Sequence, residues 1–184
     1  MAEYGAKEMA NAFRTVRKNT VQIAEEIPED KYEFVAAPGT RSIRELLNHI
    51  AFLNTVHYDF NRDKRLTTLA GYDFGALMTR VSAEEKKPRT KAEIVALLKE
   101  RGDEFAQWIE SLPRDFLNET FTDPTGQNPK TRMEHIMGAK EHEMHHRGQL
   151  MLIERMLGIT PHLTRQMQER MRARAQAAGQ AASR

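Results

Sequence analysis

Between Thr131 and Gly158 the chain reads TRMEHIMGAKEHEMHHRGQLMLIERMLG, with no proline to interrupt it and a glycine at its end. A run of that length reads as one helix. Thr131 and Glu134 stand at the spacing of a capping box, in which hydroxyl and carboxylate satisfy backbone N–H groups that a helix start leaves unpaired. At 3.6 residues per turn, His135, Ala139, His142, His146, Leu150, Ile153 and Leu157 share a narrow arc. The core-facing stripe of this helix therefore carries three histidines. His142 and His146 lie one turn apart, which lets two imidazoles from one helix meet a single ion. The same spacing also suits hydrogen-bonded core histidines, so the pair by itself leaves metal and packing readings open.

Cysteine is absent, so disulfides, thiolate ligands and a cysteine nucleophile are excluded, and a transition metal would have to sit on His, Asp or Glu. With 184 residues, 40% hydrophobic and 29% charged, the composition is that of one globular unit. No apolar run approaches the ~18 residues of a membrane span. The start, Met1-Ala2-Glu3-Tyr4, lacks the basic and apolar regions of a signal peptide, which predicts a cytoplasmic protein. The net charge of +2 hides a split: residues 160–184 hold five arginines and one glutamate, leaving residues 1–159 slightly acidic. That balance argues against a nucleic-acid partner, which would select a basic face.

The rest of the chain supplies three more long helices. Over residues 3–27, Met9, Phe13, Val16, Thr20, Ile23 and Ile27 recur four and three apart, and Pro28 stops the pattern. A second helix starts at Ser42, capped with Glu45, and is expected to run to about Phe60 with its buried arc on Leu46, Ile50 and Leu53. His49 and His57 flank that arc on opposite sides, and periodicity does not choose between them. Glu45 is placed either to cap the helix or to hydrogen-bond His49. Residues 61–89 read as a long polar connection, with a short helix over Phe74–Val81 as the alternative. Thr90 and Glu93 cap a third helix whose apolar side carries Ile94, Leu97, Leu98, Phe105, Trp108, Ile109 and Leu112. Residues 113–130 form a second connection.

The segment His142-Glu143-Met144-His145-His146-Arg147-Gly148-Gln149, followed by an apolar run to Leu157-Gly158, resembles the last-helix signature of the DinB-like family of metal-dependent bundles. In that family the HxxxHRGQ helix gives two ligands and a histidine on the second helix gives the third. Glu45-Leu46-Leu47-Asn48-His49-Ile50-Ala51 matches the second-helix pattern. The resemblance covers about residues 3–158. It implies an all-α, up-down-down-up four-helix bundle with a long crossover between helices 2 and 3, spanning residues 1–158, and a metal triad of His49, His142 and His146. Residues 159–184 are expected to form a basic helical tail, with Leu163, Met167 and Met171 at helical spacing.

Three neutral imidazoles on a divalent ion leave a coordination position open, as catalytic zinc sites do. Zinc is the default, and imidazole suits nickel or iron as well. Relatives of this resemblance use such a site to activate a low-molecular-weight thiol for S-transfer or thiol-dependent isomerisation. The leading expectation is therefore a metal-dependent small-molecule transferase using a thiol. The alternative is a non-catalytic bundle, metal-binding or purely structural. A metal-dependent hydrolase or nuclease stands third, weakened by an apparent shortage of carboxylates near the triad. Around the triad, Arg147 is expected in a surface ion pair, Gly148 at a close helix approach and Gln149 on a buried carbonyl, with His135 as the substitute ligand. Met133, Met137, Met144 and Met151 lie opposite the histidines. Their face needs a cover, either the partner in a homodimer or the tail.

Overall fold

Gly5 N–H donates to Glu8 Oε2 at 3.1 Å and starts helix α1 (Ala6–Glu26), which ends just ahead of Pro28, whose ring nitrogen has no proton to donate. The computed structural model describes residues 4–182. The predicted stripe Met9, Phe13, Val16, Thr20, Ile23 and Ile27 is buried throughout. After one 3-10 turn at Glu29–Lys31, helix α2 (Ile43–Phe52) opens with the reciprocal cap its sequence encodes. Ser42 Oγ accepts from Glu45 N at 3.2 Å and Ser42 N donates to Glu45 Oε2 at 2.9 Å.

The second helix does not run evenly to Phe60. It breaks at Leu53, resumes as α3 (Asn54–His57) and widens into a π-helical turn at Tyr58–Asp63. Widening the turn re-aims the side chains that follow it. Leu53 is left half-buried, while Asn54, His57, Phe60 and Asn61 point inward.

The crossover contains helix α4 (Phe74–Glu85), four residues longer than the alternative reading allowed, with Asp73 Oδ1 accepting from Ala76 N at 2.8 Å as its cap. Leu77, Val81 and Glu85 recur one turn apart and form its buried face, which packs on α2. Helix α5 (Lys91–Glu110) has the Thr90–Glu93 box, and Trp108 sits edge-on to Tyr58 at 5.2 Å in a packing role. Helix α6 (Arg114–Asn118) and an antiparallel pair, β1 (Thr120–Phe121) with β2 (Lys130–Thr131), fill the second connection, Thr120 opposite Thr131. Helix α7 (Arg132–Met156) is the histidine helix, and only half of its expected cap forms, Thr131 Oγ1 accepting from Glu134 N at 3.1 Å. It ends in a Schellman motif: Gly158 takes φ +79°, its N–H reaches Arg155 O at 3.0 Å, and Ile159 N–H reaches Glu154 O at 2.8 Å. Helix α8 (His162–Ala182) follows.

Two core clusters fix the helix directions. One joins Ile23 and Ile27 to Ile43, Leu46, Ile94, Leu98, Leu150 and Ile153, and the other joins Met9 and Phe13 to Tyr58, Phe105, Ile109 and Ile136. The late part of α1 thus meets the early parts of α2 and α5 and the late part of α7. That is an up-down-down-up bundle, with the long crossover returning the chain so that α5 runs parallel to α2.

The methionine face differs from expectation. Met133 and Met137 pack on the second cluster and Met151 on the first, so only Met144 of the four is exposed. The tail does not cover it, because Met167 and Met171 are themselves about 60% exposed, at 60% and 62%. No helix among the described residues is long and apolar enough to cross a membrane.

Candidate metal centre

His49 on α2 and His142 and His146 on α7 meet in the upper half of the bundle. His142 Nε2 lies 3.3 Å from His49 Nε2 and 3.0 Å from His146 Nε2, and one ligand atom from each residue falls within 4.8 Å of the others. A tetrahedral ion with metal–nitrogen bonds near 2.0–2.1 Å sets its ligand nitrogens about 3.3 Å apart. Both spacings from His142 lie close to that value.

Their outer nitrogens explain why Nε2 faces inward. His49 Nδ1 lies 2.5 Å from Glu85 Oε1, and a carboxylate partner requires the proton on Nδ1, leaving Nε2 as a bare lone pair. Arg41 closes over the other side of the same carboxylate, Nε to Oε2 at 2.9 Å. Asn48 Nδ2 donates to the carbonyls of Glu85 at 3.0 Å and Lys87 at 3.1 Å, pinning the end of α4 where Glu85 must stand. On α7, His146 Nδ1 meets Gln149 Oε1 at 2.7 Å, and Gln149 Nε2 reaches His145 Nε2 at 3.2 Å. That chain gives His146 the same tautomer as His49.

Burial sets the charge state. Desolvation is the main cause in each case: it holds His49 below its ordinary pKa despite the opposing pull of Glu85, and takes His142 to about 3 and His146 to about 4. Mutual repulsion among the imidazoles adds to the effect on His142 and His146. All three are neutral at physiological pH, the form that binds metal. His146 and Glu85 also line an open cleft of about 780 Å³, bounded by Arg41, Lys86, Gln149 and Leu152, so the triad is reachable from outside.

The profile of the DinB superfamily matches residues 12–150, which include all three histidines. The chain belongs to the DinB superfamily. No curated protein matches it. Among solved structures it is similar to YfiT from Bacillus subtilis, described as a probable metal-dependent hydrolase with an unusual four-helix bundle topology. That match has 16% identity and a TM-score of 0.65, over 87% of this chain and 91% of that one. It is also similar to the DinB-like protein YjoA from Bacillus subtilis, with 21% identity, 83% and 93% coverage and a TM-score of 0.61. A Streptococcus pneumoniae protein gives 14% identity, 84% and 93% coverage and the same TM-score of 0.61. At these identities the likeness is one of fold.

In this DinB superfamily chain Glu45 takes the capping role and leaves the imidazole contact to Glu85. Gln149 serves the site through His146 rather than a buried carbonyl. The expected shortage of carboxylates near the triad is not found; those present are committed. His142, Glu143 and His146 satisfy the HExxH spacing in which the glutamate acts as general base of a helix-borne zinc site. Here Glu143 is buried on the other side of α7, its two oxygens held by Arg17 Nε at 2.8 Å and Nη2 at 2.9 Å. His135 is not near the triad. It lies 4.7 Å from His57, ring to ring, and 3.0 Å from Asn61 Nδ2, in an aromatic nest with Phe60 and Phe121 at the opposite end.

Glu85 and Asn48 are the residues the sequence reading missed. The available signal was the spacing of Leu77, Val81 and Glu85, which puts a carboxylate on the buried face of a helix.

Proposed function

We propose that His49, His142 and His146 hold a divalent ion, and that the chain is a metal-dependent enzyme acting on a small molecule with a low-molecular-weight thiol as co-substrate. The observation that carries this reading is the convergence of three histidine Nε2 atoms beside an open cleft. When bound, the ion would lower the pKa of a coordinated thiol or water and so supply a nucleophile at neutral pH. Glu85 and Gln149 orient His49 and His146, and the cleft admits the reactants.

Carboxylate chemistry favours a thiol over a water as nucleophile. Hydrolysis profits from a general base within reach of the attacking water. Glu143 is engaged by Arg17, Glu85 by His49 and Arg41, and Glu45 by the Ser42 N–H. A thiol delivered as thiolate needs no such base. The hydrolase reading is supported by the likeness to YfiT, described as a probable metal-dependent hydrolase.

The deciding experiment starts with metal content in protein purified without added metal or an affinity tag, against a His142→Ala/His146→Ala variant. About one ion per chain in the parent and little in the variant is expected. Cobalt-substituted protein is then titrated with small thiols and followed by its thiolate charge-transfer absorption, and the loaded protein is offered thiol plus electrophile or an ester alone. Thiol-dependent consumption of the electrophile supports the transferase; ester cleavage without thiol moves the assignment to the hydrolase. No metal in either protein leaves a non-catalytic bundle.

A homodimer is also proposed. Met144, Leu152 and Met156 on α7 and Met167 and Met171 on α8 are each exposed, and the tail is arginine-rich where the bundle is slightly acidic. Sedimentation at two ionic strengths checks this: a monomer at both would sink it.

A further inference from the structure

We propose that the cleft beside the triad selects a small organic anion, a carboxylate on an apolar body, with Lys86 and the outer edge of Arg41 receiving the carboxylate. This rests on the proposed metal-centre reading for the orientation of the bound molecule, though not for its charge. Arg41 and Lys86 line the cleft together with the apolar side chains of Ala36, Leu46, Leu152 and Ile153. Such a lining suits a molecule with one charged end.

The two cations differ in their commitments. Lys86 is the residue that ends α4, directly after Glu85, and its ammonium is exposed with no ion-pair or hydrogen-bond partner among the described residues. Its neighbours are spoken for: Lys87 pairs with Glu84 at 2.5 Å, and Arg89 with the same carboxylate at 2.5 Å. Arg41 meets Glu85 through Nε at 2.9 Å and Nη2 at 3.4 Å, which leaves Nη1 and an exposed edge for a ligand. Arg41 shares the Glu85 carboxylate with His49 and lines the cleft together with His146. An anion seated against it would therefore be near the triad.

Glu85, shared by His49 and Arg41, offsets the charge of Arg41, and Glu45 accepts from the Ser42 N–H, so Lys86 is the lining cation with no carboxylate partner among the described residues. Two monodentate cationic donors match one carboxylate, whereas a phosphate ester would call for a denser cradle of donors.

Phenylacetate and its neutral isostere phenylacetamide make the test, with binding to the full chain read by saturation-transfer NMR in metal-free and zinc-loaded protein. Phenylacetate is expected to bind about ten-fold or more tightly than the amide in the parent. Lys86→Gln should remove most of that preference, while Lys87→Gln, on the neighbouring residue outside the cleft, should keep it. Equal binding of acid and amide, or a preference that survives Lys86→Gln, overturns the proposal. Metal uptake measured on the same samples is independent of either result. In the parent, metal binding without selectivity rejects the anion site alone, and selectivity without metal binding rejects the metal centre alone.

Discussion

Glu85 holds His49 by Nδ1 at 2.5 Å although the two stand 36 positions apart, His49 on α2 and Glu85 on α4 inside the crossover. The contact fixes which imidazole nitrogen faces the triad, and Arg41 and Asn48 in turn fix the carboxylate. Outer partners of this kind are worth roughly 10–100-fold in metal affinity. Glu85→Ala should lower zinc affinity by about that factor, measured by competition with a chromophoric chelator, with the helical circular dichroism unchanged. Unaltered affinity would mean that Glu85 anchors α4 and has no part in the site.

Arg17 ties the bundle at its centre. Its guanidinium reaches Glu143 on α7, the Leu98 carbonyl on α5 at 2.8 Å and the Ile50 carbonyl on α2 at 3.3 Å. The side chain passes so close to Gly102 that an added Cβ would meet Arg17 Cγ at 2.6 Å. Removing one partner of a buried pair strands the other charge, at a cost of about 3–5 kcal/mol. Glu143→Leu is expected to lose that much in urea unfolding, and Gly102→Ala about 1–3 kcal/mol through overpacking. The double change Arg17→Met/Glu143→Leu should recover most of the first loss. If it does not, the pair contributes more than mutual neutralisation.

Sequence made the local devices legible. The caps at Ser42–Glu45 and Thr90–Glu93 need only residues three apart, and the stripe of α1 needs only its own period. His142 and His146 were visible for the same reason. His49 was separated from His57 by family resemblance alone, because both are buried and periodicity favoured neither. What escaped were the side chains whose meaning is set by a distant helix. Arg17 reads as an ordinary helix residue until Glu143 faces it, and Glu85 as one acid in a polar connection until α4 docks on α2. The HExxH spacing shows the converse hazard, since the local pattern is complete while Glu143 points away from the triad.

Two of the three imidazoles are already deprotonated well into acid. With His142 at about 3 and His146 at about 4, both by desolvation first, these two carry almost no protons at pH 6, and His49, lowered by desolvation, carries fewer than an ordinary histidine. Three ordinary histidines would release roughly two protons on binding an ion at that pH. Calorimetric titration with zinc at pH 6, in buffers of different ionisation enthalpy, should show fewer than about one. Release near two would place the apo imidazoles in water, with the cleft reaching deeper than described.

Glu154 gives the molecule a second pH dependence, away from the triad. Its side chain is fully buried near the joint of α7 and α8, and neither carboxylate oxygen has a hydrogen-bond partner among the described residues. Burial, with Glu26 adding repulsion, raises its pKa from 4.5 to about 7, against smaller opposing effects of Arg165 and Arg155. The native state then binds this proton more tightly than the unfolded chain, so the contribution is fully present below about 4.5 and is lost as pH rises through about 7. His162 and the triad histidines, with lowered values, act in the opposite direction, so the total slope does not isolate Glu154. The difference from Glu154→Gln does. Going from pH 5 to pH 8, the variant should gain on the parent by on the order of 2 kcal/mol in urea unfolding free energy. A gap that stays constant with pH would show that Glu154 ionises as freely in the folded protein as in the unfolded one.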